Sequence, residues 1–553
     1  MYSSELFCER IDSNEGKITD RKNYEFLGVH KDGEGYVFRT RQRNAVAVEL
    51  TGDFNSWGGW QMKNIGGGCW EIRVESDIPL EGNCYKYKIY NEENCELKPD
   101  PYARYSQWGS HNASIVYFDG YEWEDGEWME KREKYSFDTP LNIYQIHLGT
   151  WKRREGRSYS EGDAYLNYRD VAAVLACYVS DMGYTHVCLI GITEEGKEFG
   201  FAPTARYGCP DGLKLLVDTF HRIDIGVIFE LGRDKADDSG SPETKDGEFF
   251  ECASFWIREY HVDGLYLVGK TSKMARMKMK QNFPSHLFIF EDNGNKESEG
   301  VISDRRWTEE VLDYASSDPQ YKRFKYSRIN LSLTDGMERH RILPITYSDI
   351  SKGQQSLINK MRGSYGEKFD RLRLFYCYMM THPGKKLTFM GCEFGEDKEW
   401  SRDEPLEWFL LEQQANKKLK EFVKSLNLLY KESPELWKND STRRGFSWIC
   451  PLDVQNGILA FKRLDGSDGE LIAALNFTDN RERAIEINAE DLSIAKVFNS
   501  DKREYGGEGR GGVKRKDERL ILSVPPLSAV IVKCSKNKKT PFFEKAIDYS
   551  SDV

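Results

Sequence analysis

The sequence lacks several features that would each point to a function. Its twelve cysteines are scattered and include no C-x-x-C, so spacing excludes a zinc ribbon or a dithiol redox motif. Its nine histidines are widely separated, and no metal site is expected. No apolar run approaches the length of a membrane span, and the segment Met1 to Asn14 mixes acidic and basic residues instead of reading as a signal peptide. Positive charge is not in excess. The net charge is −11 with both signs spread along the chain, which argues against nucleic acid as a partner. Cysteines without evident pairing and no export signal lead to the expectation of a reducing cytoplasm.

What the chain does contain is enough material for large cores. It has 553 residues, 39% of them hydrophobic, with thirteen Trp and thirty Tyr. Length alone allows about three or four domains. Residues 24–125 read as a β-sandwich. Val46-Ala47-Val48-Glu49-Leu50 and Tyr85-Lys86-Tyr87-Lys88-Ile89 have strand character, with Gly and Asn clustered between such runs. Residues 140–435 alternate short apolar strands with amphipathic helical stretches. Strands are predicted at Ile143–Leu148, His186–Ile190, Gly226–Glu230, Gly264–Val268, Leu287–Glu291, near Arg341–Thr346 and near Lys386–Met390. This alternation predicts a parallel sheet closed into a (β/α)₈ barrel. Residues 440–535 return to short strands and read as a second all-β domain. Residues 1–23 form an N-terminal extension, and 536–553 a polar, Lys-rich tail. The expected fold class is therefore multidomain: β-sandwich, degenerate (β/α)₈ barrel, β-sandwich.

Ordered motifs carry a more specific resemblance. Tyr144-Gln145-Ile146-His147-Leu148-Gly149-Thr150-Trp151 is similar to Y-E-x-H-x-G-(S/T)-W. Phe389-Met390-Gly391-Cys392-Glu393-Phe394-Gly395, then Glu399-Trp400 and Leu406-Glu407-Trp408, resemble F-M-G-N-E-F-G, E-W and L-D-W. These are motifs of α-glucan branching enzymes of glycoside hydrolase family 13, and the resemblance runs from about Tyr24 to Lys533. Gly52-Asp53-Phe54-Asn55-Ser56-Trp57, Trp70-Glu71 and Lys98-Pro99-Asp100-Pro101-Tyr102 resemble a family-48 carbohydrate-binding module. The resemblance implies no cofactor. It implies α-glucan or glycogen as ligand, with an active glycogen-metabolism enzyme as a further partner.

The same resemblance implies two catalytic carboxyls and a third that grips sugar hydroxyls. A retaining glycosyl transfer needs one carboxylate to attack the anomeric carbon and a second to protonate the leaving oxygen. The nucleophile position, the last Asp of (I/V)-D-(A/G)-(L/F)-R-(V/L)-D, is Val268, and the Arg of that motif is Tyr266. Asp263 is five positions earlier, on the opposite face of a regular strand. Phe290-Glu291-Asp292 resembles A-E-E and keeps Glu291 as a remnant general acid/base. Leu343-Pro344-Ile345-Thr346-Tyr347-Ser348-Asp349 resembles L-P-L-S-H-D-E, so the sugar-gripping His-Asp pair becomes Tyr347-Ser348. Asp349 could substitute only through a bulge. Lys235 stands where the resemblance expects His, and Gln145 where it expects Glu. Thirty-eight positions separate Glu230 from Val268, and 23 separate Val268 from Glu291. Both intervals are roughly half what the resemblance implies, and such loops exclude water from the transfer.

For glycan binding, the resemblance picks out Trp57 as a stacking ring, with Lys86 and Asn112 as polar contacts. The second stacking Trp of such modules falls near Leu97. The sequence therefore points to a catalytically inactive homologue that binds α-glucan or regulates glycogen metabolism. The alternatives are an active branching enzyme or related glycosyltransferase using another carboxylate, and a protein-interaction scaffold without sugar affinity.

Overall fold

The computed structural model describes residues 23–536, except 34, 133–136, 155–163, 194–199, 233–241, 270, 292–299, 323, 336 and 453–456. The N-terminal module packs two antiparallel sheets face to face. One follows the order β1 (Gly28–Asp32), β2 (Gly35–Arg41), β6 (Cys69–Glu75), β5 (Lys63–Gly66). The other runs β4 (Trp60–Gln61), β3 (Ala47–Gly52), β7 (Cys84–Tyr90), β8 (Cys95–Lys98), with β9 (Ser114–Ile115) also on β7. Alternation along β7 is regular. Tyr85, Tyr87 and Ile89 point into the core, while Lys86 and Lys88 face outward.

Eight parallel strands then close a barrel: β10 (Asn142–His147), β11 (His186–Ile190), β12 (Gly226–Gly232), β13 (Gly264–Val268), β14 (Leu287–Glu291), β15 (Val301–Ser303), β16 (Arg341–Ile345) and β17 (Lys385–Phe389). Closure is made by β10 on β17, with Ile143 opposite Leu387. Seven of these strands were predicted to within a residue or two, but β15 was not. It has three residues, too few to show periodicity. Only positions 292–300 lie between it and β14, where a parallel crossover usually takes a dozen or more residues.

At the bottom of the barrel a buried carboxylate joins it to the incoming chain. Helix α1 (Gly126–Arg132) follows the N-terminal module, and α2 (Tyr168–Asp181) and α3 (Pro210–His221) follow β10 and β11. Asp263 lies just before β13 and is 4% exposed. It accepts from Trp128 Nε1 of α1 at 2.8 Å, from the Val227 backbone N–H at 2.6 Å, and pairs with His221 Nε2 of α3 at 3.0 Å. Arg132 adds an ion pair at 3.5 Å. Burial alone would raise the Asp263 pKa, but the charge and hydrogen bond of His221, with Arg132, hold it below the usual carboxylate range. His221 Nδ1 meets Asp125 at 2.9 Å. Burial opposes its charge, yet the two carboxylates keep its pKa at about 9.

Two C-terminal sheets complete the chain, in the orders β18 (Phe446–Cys450), β19 (Ile458–Leu464), β20 (Gly469–Asn476), β25 (Ser528–Lys536), β22 (Leu492–Asn499) and β21 (Arg483–Asn488), β24 (Arg519–Val524), β23 (Gly512–Lys516). The central strands of the larger sheet, β19, β20 and β25, are buried on both faces. Leu459, Phe461 and Leu471 join the barrel core, while Ile458, Ala460 and Ile472 join the core between the sheets. Among the described residues, no helix is long and apolar enough to cross a membrane.

The His221 network makes a pH prediction. Its folded pKa of about 9 lies above the unfolded value of about 6.5, so its contribution is full below pH 6.5 and lost as pH rises through 9. Stability to urea should fall between pH 6.5 and 9.5 by on the order of 2–3 kcal/mol. The fall should be largely absent in His221→Gln, as followed by circular dichroism.

Candidate functional site

Contacts between strands that are not neighbours mark the barrel interior. Tyr266 of β13 reaches past β14 to Ser303 of β15, with Oη and Oγ 3.1 Å apart. Gln145 of β10 reaches past β11 to Glu230 of β12, donating from Nε2 at 3.2 Å. Tyr266 therefore points inward, and Val268, two residues on, shares its face at the C-terminal end of the strand. Val268 is half-buried and packs against the barrel core. The chain turns at Gly269, φ +93°, and its backbone N–H donates to Glu291 Oε2 at 3.0 Å. Glu291 is the last residue of β14. Asp263, on the opposite face and at the other end of β13, is engaged in the network at the bottom of the barrel. It does not approach the position of Val268.

The sequence reading missed Glu230 as a neighbour of Glu291. Glu230 accepts from Tyr347 Oη at 3.3 Å as well as from Gln145. Burial pushes its carboxyl up to about 8, and the negative charge of Glu291 adds to the rise. The Tyr347 hydrogen bond and the Arg402 charge oppose it. Glu230 is thus a neutral acid at pH 7. A signal for this was present in Gln145. A Glu at that position would set two carboxyls against each other across the barrel, whereas the amide turns the contact into a hydrogen bond. Reading it required knowing that strands one and three meet in the interior.

The segment after β16 forms a one-turn helix, Tyr347–Ile350, rather than a bulge. Thr346 caps it, and Asp349 closes a capping box by accepting from the Thr346 backbone N–H and Oγ1, both at 2.8 Å. Arg305 pairs with Asp349 at 3.5 Å and donates to Ser348 Oγ at 2.7 Å. Asp349 is therefore committed to local structure. Tyr347 packs against Trp400, centroids 5.4 Å apart, and Trp400 Nε1 donates to Thr150 at 3.0 Å. Glu399 accepts from the backbone N–H groups of Gly353 and Gln355 at 2.8 and 2.9 Å. His147 is held neutral, down to about 3, by burial and then by the charges of Arg402, Arg206 and Arg153.

The predicted glycan contacts lie elsewhere. Trp57 is 40% exposed, donates Nε1 to Asp53 at 3.0 Å, and returns its backbone N–H to Gly52 at 2.8 Å. Gly52 faces Tyr85 on β7, beside Lys86, and Asn112 comes two residues before Ser114, which also pairs with Tyr85. The register thus brings Trp57, Lys86 and Asn112 to one end of one sheet. Leu97 is exposed and sits opposite Lys88, farther along the same sheet. A ring the sequence reading did not single out is Trp108, 42% exposed, which meets Tyr165 of the barrel at 6.3 Å. Arg206 lies over both rings, at 5.8 and 5.6 Å. Lys235 and Asp292 lie outside the described residues. Among the described residues, no group of three or more His, Cys, Asp or Glu could hold a metal ion.

The raised Glu230 pKa has a measurable cost. Its unfolded value is about 4.3, so between pH 4.3 and 8 the unfolded chain ionises while the folded one stays protonated, and the cost to folding grows with pH. Glu230→Gln should be more stable than the parent at pH 8 by on the order of 1–3 kcal/mol, with the advantage fading towards pH 4.5. Urea midpoints at the two pH values measure this, and a pH-independent difference would contradict it.

Comparison with known proteins agrees with this architecture. Residues 26–103 match Carbohydrate-binding module 48 (Isoamylase N-terminal domain), and residues 448–535 match Alpha amylase, C-terminal all-beta domain. The fold is similar to a pullulanase type I from Bacillus subtilis solved with maltose, with TM-score 0.70 and 16% identity over 92% of this chain and 85% of that one. A 1,4-α-glucan branching enzyme GlgB from Clostridium perfringens is 31% identical, covering 96% of this chain and 94% of its own. Its counterpart from Aquifex aeolicus is also 31% identical, covering 93% and 97%. The Clostridium alignment spans 642 positions against 553 residues here, so the relative carries residues that this chain lacks. On this identity over nearly the full length of both proteins, the chain belongs to the 1,4-α-glucan branching enzyme family.

Proposed function

We propose that this chain is a catalytically inactive member of its family that binds α-glucan and acts in glycogen metabolism through binding or regulation. The observation that carries the reading is Val268. It stands at the inward-facing C-terminal end of β13, and an alkyl side chain has no lone pair with which to attack an anomeric carbon. Glu291 keeps the other carboxyl, but the Gly269 N–H accounts for one of its oxygens. The Tyr266 hydroxyl below is engaged by Ser303.

One observation favours an active enzyme instead. Glu230 and Glu291 are close enough for their charges to interact, and a retaining mechanism wants one ionised carboxyl and one protonated. Against this, Glu291 holds the acid's position, so Glu230 would have to be the nucleophile, and a pKa of about 8 keeps it mostly protonated at neutral pH. It is hydrogen-bonded by Tyr347 and Gln145, and a neutral acid does not attack carbon. Sugar binding is supported by the exposed Trp57 beside Lys86 and by Trp108 with Tyr165 and Arg206 at the edge of the barrel. Flat rings flanked by polar side chains suit sugar faces.

Two experiments test the reading. Purified protein incubated with amylose should yield no new α-1,6 branches after enzymatic debranching and counting. Branch formation abolished by Glu291→Gln would sink the inactive reading, and its additional loss in Glu230→Gln would assign the chemistry to that pair. In glycogen affinity electrophoresis the protein should be retarded, with Trp57→Ala weakening the interaction roughly tenfold, or about 1.4 kcal/mol. Unretarded migration of the parent protein would favour the interaction scaffold.

A further inference from the structure

The turn after β3 in the N-terminal module carries backbone strain. Ser56 and Trp57 follow one another at φ +53° and +60°, the left-handed region that a bulky side chain rarely enters. Asn112, at the same end of the sheet, stands at φ +39°. Such strain persists only where the surroundings over-determine it, and it gathers where ligands are clamped.

The surroundings here do over-determine the turn. Asn55 accepts from the Gly52 N–H at 2.9 Å and donates to the Leu50 carbonyl at 3.1 Å. The Trp57 and Gly58 N–H groups donate to the carbonyls of Gly52 and Asn55 at 2.8 and 2.9 Å. Phe54 is the anchor. Its ring stacks on Trp60, centroids 5.4 Å apart, and meets Phe38 of the module's core at 5.7 Å. Position 52 must be glycine, because a Cβ there would stand 2.4 Å from the Cys84 carbonyl oxygen and 2.9 Å from the Phe54 ring.

Asp53 is exposed, and its two oxygens serve two elements. Oδ2 accepts from the backbone N–H of Cys84, the first residue of β7, at 2.7 Å. Oδ1 accepts from Trp57 Nε1 at 3.0 Å. One carboxylate thus ties the indole to the strand that carries Lys86. An indole has a single donor and no acceptor. With Nε1 engaged, Trp57 offers a ligand only its ring, which suits the C–H face of a pyranose. Polar contacts then fall to Lys86 and Asn112.

From this geometry we infer that Asp53 is a positioning residue of the sugar site, holding the Trp57 ring in its binding orientation before the glucan arrives. The inference rests on the proposed sugar binding through Trp57. The expected second ring is replaced by Leu97, an exposed alkyl side chain, so Trp57 carries more of the contact. Affinity then depends on how little freedom that ring must give up on binding. Removing the tie leaves the indole in place but free to rotate, and part of the interaction energy is consumed in ordering it.

Titration calorimetry of the full chain with maltoheptaose tests the role through a double-mutant cycle. Asp53→Ala should weaken binding about fivefold in the parent, on the scale of ordering one side chain. In the Trp57→Phe background, whose ring has no N–H for Asp53 to hold, the same change should cost less than about twofold. Equal losses in both backgrounds would mean that Asp53 acts only through the Cys84 N–H, and would overturn the role. Unchanged affinity in Asp53→Ala would do the same. A ligand-free measurement covers a Trp57→Phe variant too weak to titrate. The Trp57 indole N–H resonance, assigned by its loss in Trp57→Phe, should shift in Asp53→Ala, and a resonance that does not move overturns the tie. Sugar binding through Trp57 fails separately. Undiminished affinity in Trp57→Ala removes that ring from the site, whereas affinity lost in Trp57→Ala but kept in Asp53→Ala overturns the positioning role alone. Asp53 and Trp57 are both exposed, and an unaltered thermal midpoint will show that the variants fold.

Discussion

The buried carboxylate of Asp263 is the contact on which the barrel's arrangement depends. A charge 4% exposed is tolerable only when it is fully paired. Asp263 meets this condition with an imidazolium, an indole N–H, a backbone N–H and a guanidinium from α3, α1, β12 and α1 respectively. These partners lie on the outer side of the strands at the bottom of the barrel. With residue 263 fixed outward, the two-residue period of a strand places Tyr266 and Val268 inward. The same contact that ties the N-terminal module's exit helix to the barrel thus sets which side chains face the interior at the top. Removing one partner would leave an uncompensated buried charge, so this register has little freedom to slip.

The family motifs that survive are those with structural work at the top of the barrel. Glu393 is fully buried and accepts from the hydroxyls of Tyr144 and Tyr178, both at 2.7 Å. Glu399 gathers the backbone of residues 353–355, Trp400 bridges Tyr347 to Thr150, and Trp408 donates to the Trp151 carbonyl at 2.6 Å. Glu393, Trp400 and Trp408 satisfy polar groups in buried or half-buried surroundings that would otherwise be orphaned, while Glu399 ties down an exposed loop. The changed positions have a different character. Val268, Gln145, Tyr347 and Ser348 all stand where the family resemblance implies a carboxylate or a titratable ring, and all are uncharged. Crowded carboxylates destabilise a fold through mutual repulsion and desolvation, and sites that keep them do so for activity. Replacing them with neutral groups relieves that cost without disturbing the scaffold.

How much of this was legible in the sequence depends on whether the determining contact is local. Strands β10 to β14 were readable because each is an apolar run of five to seven residues. The parity of β13, and with it the separation of Asp263 from Val268, followed from counting. β15 was not readable, because three residues between unpatterned neighbours carry no period. The pairing of Glu230 with Glu291 was also hidden. Glu291 was in view as a motif member and Glu230 as a strand end, but their charges interact across the barrel interior, from positions 61 apart in the sequence. The bulge through which Asp349 could have substituted is absent, and the segment is a capped helical turn, since Thr-x-x-Asp satisfies its own backbone locally and needs no strand irregularity.

These observations bear on what a barrel mouth of this kind can still do. The described groups at the C-terminal ends of the barrel strands include one carboxyl held up at about 8, a neutral imidazole at His147 and the guanidinium groups of Arg153, Arg206 and Arg402, whose charges reach that imidazole. Such a set donates and accepts hydrogen bonds without providing a charged nucleophile. Sugar hydroxyls are recognised by that kind of group, and rings such as Trp108 and Tyr165 supply the apolar face. Binding a polysaccharide and cleaving it make different demands. The first asks for many modest contacts spread over a surface, the second for two carboxyls placed to within a fraction of an ångström. On the proposed reading, a chain that replaces its nucleophile while keeping its aromatic and guanidinium surface gives up the second capacity and keeps the means for the first.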